Sequence, residues 1–113
     1  MIKIYHNNRC SKSRCTLDIL KDKKLDTEIV DYLNNPPTAS ELKDILQMLG
    51  MNPIELIRKG EADFKENFKG KNLSDNEWIK AMIQYPKLIE RPIVINNGKA
   101  VIGRPPEKVN EIL

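Results

Sequence analysis

The chain has 113 residues and a formal net charge of +3, with 40% hydrophobic, 31% charged and only 5% aromatic residues. That length suits one domain burying roughly 65% of its unfolded surface, and the composition lacks the polarity and charge excess of a disordered chain. Acids interleaved with the lysines and a shortage of stacking rings exclude a nucleic-acid face, and the lack of any run near ~20 apolar residues excludes a membrane helix.

Ile2 to Tyr5 alternates apolar and polar residues as a strand does. The polar run His6-Asn7-Asn8-Arg9 leads to a helical segment from about Ser11 to Lys23, and β-branched residues over Glu28 to Tyr32 give a second strand. The intervening length accommodates a helical crossover, so the opening third reads as a βαβ unit with parallel neighbours. Asn34-Asn35-Pro36-Pro37 breaks the pattern, and Thr38 with Glu41 forms a capping box ahead of Ala39, Leu42, Ile45, Leu46 and Leu49, closed by Gly50. Short helical pieces follow Pro53. Ser74 and Glu77 form a second capping box before Trp78, Met82 and Ile83, with Pro86 ending that run.

Ile93-Val94-Ile95 and Ala100-Val101-Ile102 flank Asn97-Gly98, the strongest short-range hairpin signal. Pro105-Pro106-Glu107 opens a last helix with Val109, Ile112 and Leu113 on one side. The elements give an α/β fold: a four-stranded mixed sheet flanked by helices, with a helical insertion over about 38–85 between the second and third strands, within a single domain spanning 1–113. No apolar surface stripe is left over once the core is assigned, so a monomer is expected.

Two cysteines occur, Cys10 and Cys15. They are too close to brace the fold as a disulfide, and with no signal-peptide pattern the expected location is the cytoplasm, where both are thiols. Cys10 falls just past the carboxyl end of the first strand, where open α/β sheets place their sites, and at a helix amino terminus, whose N–H groups and positive dipole end favour a thiolate. Ser11 and Ser13 add hydroxyl donors, while His6, Arg9, Lys12 and Arg14 make the surroundings positive. Cys15, pointing to another face of the helix, reads as a packed thiol.

A lowered thiol pKa raises the thiolate population, but nucleophilicity falls with basicity by a Brønsted slope of about 0.5, so the site needs a second contribution. An oxyanion substrate of charge −2 at ~3.5 Å from a thiolate is repelled by about 9 kcal/mol at an effective dielectric of 20 before counter-charges act. Arginines offset such repulsion, because their planar fork grips oxyanions and stays charged. Arg58, Arg91 and Arg104 are the candidates, the latter two bracketing the hairpin. A phosphatase loop needs arginine where Thr16 stands, and a dithiol oxidoreductase needs cysteine where Ser13 stands. His6, Cys10 and Cys15 offer zinc too few ligands.

The segment from His6 to Arg14, together with Leu56-Ile57-Arg58-Lys59, Arg91-Pro92-Ile93 and Gly103-Arg104-Pro105-Pro106-Glu107, resembles the glutaredoxin-linked arsenate reductase family of thioredoxin-like fold. The resemblance implies that Cys10 attacks arsenate, that Arg58, Arg91 and Arg104 hold the arsenic oxygens, that His6 and Ser13 favour the thiolate, and that Pro92 is cis. It further implies glutathione as co-substrate, glutaredoxin as the protein partner and no tightly bound cofactor. The alternative is an Spx-type regulator, which shares the fold and binds the RNA polymerase α subunit.

Overall fold

The computed structural model describes residues 1–113, which gather into two compact units. The first comprises Met1–Asn35 and Arg91–Leu113. It contains β1 (Ile2–His6), α1 (Ser11–Asp22), β2 (Thr27–Asp31), β3 (Ile93–Asn96), β4 (Lys99–Ile102) and a 3-10 helix over Pro106–Ile112. The four strands form one sheet in the order β2-β1-β3-β4. β1 runs parallel to β2 and antiparallel to β3, and β3 and β4 form the expected antiparallel hairpin. Asn97 and Gly98 both take positive φ, 51° and 75°, as a two-residue turn matching the strand twist requires.

Ile2 and Ile4 of β1, Leu17 and Leu20 of α1, Val94 of β3 and Val109 of the 3-10 helix make a continuous core, with Ile19, Val101 and Ile112 packed against it. The last helix departs from the expected α-helix. It begins at Pro106, with Pro105 in its cap, and winds as a 3-10 helix in which Pro106, Val109 and Ile112 recur at the three-residue period that this tighter winding stacks on one side. Leu113, expected on that side, is instead exposed. The second strand is one residue earlier than the β-branched run suggested, and Tyr32 just beyond it is fully buried.

The second unit, Pro36–Glu90, holds α2 (Ala39–Leu49), a 3-10 turn (Pro53–Leu56), α3 (Ala62–Asn67), α4 (Asp75–Gln84) and a 3-10 turn (Pro86–Leu88). Both predicted capping boxes form. The Thr38 N–H donates to Glu41 Oε1 at 3.0 Å and Thr38 Oγ1 accepts the Glu41 N–H at 3.1 Å; Ser74 and Glu77 repeat this at 3.0 and 3.3 Å. Gly50 ends α2 in the left-handed conformation, φ 67°, where a residue with a Cβ is strained. Phe64 stacks on Trp78 with centroids 6.1 Å apart, and Phe68 meets Tyr85 edge-on at 5.7 Å. No helix of the chain is long and apolar enough to cross a membrane.

Candidate active site

β1 ends at His6, and Asn7 organises the turn to α1. Its carbonyl accepts the Cys10 N–H at 3.0 Å, its Oδ1 accepts the Arg9 N–H at 2.9 Å, and its own N–H donates to Ser13 Oγ at 3.0 Å. Asn7 is buried and was not singled out in the sequence, where only its place at a turn marked it. Cys10 then adopts extended backbone, φ −95° and ψ 121°, as the N-cap of α1, and its carbonyl accepts the Arg14 N–H at 3.0 Å. The sulfur is half-buried.

Burial is the largest influence on the Cys10 thiol and works to raise its pKa. The Ser13 backbone N–H, the Arg91 guanidinium by hydrogen bond and charge, and the Lys12 N–H together outweigh it, so the thiol lies below its ordinary value. Arg104 Nη1 also approaches Cys10 Sγ at 3.8 Å and donates to the Arg91 carbonyl at 3.4 Å.

Sheet register explains why two arginines so far apart in sequence meet on one sulfur. Pairing of Ile93 with Ile102 in the hairpin continues outward to set Arg91 against Arg104, and the Gly103 N–H donates to the Pro92 carbonyl at 2.9 Å. Antiparallel pairing of Tyr5 with Ile93 carries that end of the hairpin to the carboxyl end of β1, where Cys10 begins α1. The Arg91–Pro92 peptide is cis, as the resemblance implied, and so is Arg104–Pro105.

Two assignments change in detail. The Ser13 hydroxyl does not serve the sulfur: it lies 2.6 Å from His6 Nδ1 and accepts the Asn7 N–H, so Ser13 supports Cys10 through its backbone N–H alone. The third residue of the helix sends its N–H back toward the cap and its side chain toward β1. His6, in turn, is pushed toward its uncharged form. Burial lowers its pKa below the ordinary 6.5, reinforced by Lys21 and Arg14 and opposed by the Asn8 side chain and Asp31.

Cys15 is exposed rather than packed, because Ser13, Thr16, Leu17 and Leu20 occupy the inward face of α1. Arg9, Lys12 and Arg14 are exposed around the start of the helix. Arg58 belongs to the second unit, where Glu61 holds its Nε at 3.3 Å and Glu90 its Nη1 at 2.6 Å. The contact between Thr16 and Gly103 was also missed; close packing between distant segments leaves no local signature.

The sequence pattern of the ArsC family matches residues 5–112. The chain is 54% identical to the uncharacterized protein YfgD of Escherichia coli (strain K12), over 99% of this chain and 96% of that one. It is 45% identical to an arsenate reductase of Haemophilus influenzae, over 97% of each. Among solved structures, an arsenate reductase from Vibrio cholerae superposes with a TM-score of 0.93 at 46% identity, covering 99% of this chain and 97% of that chain.

Proposed function

The chain belongs to the ArsC family, with its thioredoxin-like fold, and from that footing we propose that it reduces arsenate using Cys10 as the nucleophile. The observation that carries the reading is the sulfur itself, placed at the amino end of α1 with its pKa lowered and with Arg91 and Arg104 upon it. Those cations offset the repulsion between a thiolate and an oxyanion, and they stay in place while charge shifts on the arsenic oxygens.

Cys10 Sγ attacks arsenic and an arsenate oxygen leaves as water after taking up protons. A glutathione thiol then displaces a second arsenic oxygen as water. The glutaredoxin thiol attacks the glutathionyl sulfur, forming a mixed disulfide and leaving the arsenic–sulfur electron pair on arsenic, now arsenic(III). Water finally cleaves the Cys10–arsenic bond, freeing arsenite and the Cys10 thiol. Over the cycle arsenic(V) gains two electrons, two thiols become one disulfide, and arsenite and water leave. The family resemblance would assign Arg58 a third guanidinium for the oxyanion; within its own unit it is held by Glu61 and Glu90. His6, through the Ser13 hydroxyl, holds the turn that presents Cys10. The protein works as a monomer in the cytoplasm, where free thiols are abundant.

NADPH consumption in a mixture of arsenate, glutathione, glutaredoxin and glutathione reductase tests the proposal. Turnover is expected with the native chain and background consumption with Cys10→Ser. Equal consumption by the two proteins, or none by either, removes the reductase reading. Absence of turnover together with retention of the RNA polymerase α subunit in a pull-down would favour the regulator instead.

A further inference from the structure

The segments bearing the two arginines meet at Gly103, and the structure assigns Gly103 and Thr16 a positioning role: they form a steric joint that sets how Arg91 and Arg104 approach Cys10. This inference rests on Cys10 being the reacting thiol, and it concerns residues remote from any substrate.

Three observations build the joint. A Cβ added at Gly103 would lie 2.5 Å from Thr16 Oγ1, 2.9 Å from Pro92 Cγ and 3.2 Å from Thr16 Cγ2, so only a glycine fits between them. Gly103 is not among the positive-φ residues, so its requirement is for space rather than for an unusual backbone. Thr16 is itself immobilised: it is fully buried, and its hydroxyl donates to the Lys12 carbonyl at 2.9 Å, with the Gly103 carbonyl at 3.5 Å.

Each partner of Gly103 leads directly to the sulfur. Pro92 follows Arg91, Arg104 follows Gly103, and Thr16 lies on α1, the helix capped by Cys10. Any side chain at Gly103 must push the hairpin end away from α1, and the guanidiniums move with the hairpin while the sulfur stays with the helix. A sulfur–arginine contact of 3.8 Å leaves little slack, since charge-assisted interactions weaken steeply once separation admits water.

A size-swap cycle tests the joint. All proteins carry Cys15→Ser, so that Cys10 is the one thiol, and the rate of iodoacetamide alkylation is followed against pH without arsenate, alongside thermal unfolding. Gly103→Ala is expected to move the alkylation midpoint upward by about half a pH unit or more, a roughly threefold loss of thiolate below the midpoint. Thr16→Ala, which removes one wall, moves it upward by less. The double variant, in which the new methyl takes the space Thr16 vacates while its contact with Pro92 remains, returns part of the way to the parent, its shift smaller than that of Gly103→Ala alone.

Midpoints unchanged in the folded single variants, or a double-variant shift equal to the sum of the singles, would overturn the joint. Should Gly103→Ala fail to fold, an unmoved midpoint in Thr16→Ala overturns it as well. Absent arsenate turnover leaves the alkylation result standing, whereas an unmoved midpoint in an active reductase removes the joint and leaves the enzyme.

Discussion

At Cys10, burial and hydrogen bonding act in opposite directions, and the outcome depends on which neighbours remain. Removing the Arg91 side chain deletes a hydrogen bond and a charge while leaving the burial, so Arg91→Ala is expected to raise the pH at which the thiol becomes reactive. In the coupled assay the same variant needs more arsenate for half-maximal rate; an unchanged requirement would take Arg91 out of the site. His6 makes the opposite kind of statement. Its folded pKa lies below 6.5, so acidification protonates the unfolded chain first, and stability falls as pH drops below the ordinary histidine value. Denaturant midpoints between pH 8 and pH 5, taken here as about the working range of a histidine, should decline less for His6→Gln than for the native chain. The directions in which these side chains point were not legible in the sequence. That Ser13 turns its hydroxyl to His6, and that Cys15 faces solvent, depends on which side of α1 the sheet occupies, and no local pattern near Cys10 carries that information.

Among the elements, caps and turns were the most legible because their chemistry is local. Thr38 with Glu41, Ser74 with Glu77, Gly50 and Asn97-Gly98 all behave as their residue types dictate. Ser74→Ala is expected to lower stability by about 1 kcal/mol, read as a shift of the urea midpoint. The Ser74 backbone N–H and hydroxyl also hold the exposed Glu77 carboxyl below its ordinary pKa, so this support weakens as acid protonates it. Gly98→Ala places a Cβ at φ 75° and should cost about 1 kcal/mol. Because that turn sets the register opposing Arg91 and Arg104, thiol reactivity should fall with it. The last helix was misjudged in type: its apolar residues at three-residue intervals suit an α-helix and a 3-10 helix alike, and only packing on the sheet decides between them.

Across the whole chain, the pairing of β1 with β2 and of β3 with β4 could be inferred from connection lengths, since a short turn dictates antiparallel neighbours and a helical crossover permits parallel ones, whereas the place of β3 beside β1 could not. The close approach of Gly103 to Thr16 was likewise hidden, because it joins the hairpin to a helix that no shared pattern links to it. The core of the first unit draws on both ends of the chain: Ile2 and Ile4 near the start meet Val109 near the end. Val109→Ala should therefore destabilise by about 2 kcal/mol, visible as a lowered urea midpoint with unchanged slope. A loss confined to fraying of the last residues, with the midpoint unmoved, would show that the carboxyl-terminal turn is dispensable to that core.

The exposure of Cys15 has a consequence for how such a molecule recovers after oxidation. On a helix, the two sulfur-bearing residues have backbones about 9 Å apart, beyond the roughly 7 Å that a bridge tolerates, so Cys10 has no intramolecular rescuer while α1 keeps its turns. Were Cys10 oxidised, its recovery would fall to sulfur supplied by other molecules rather than by the chain itself.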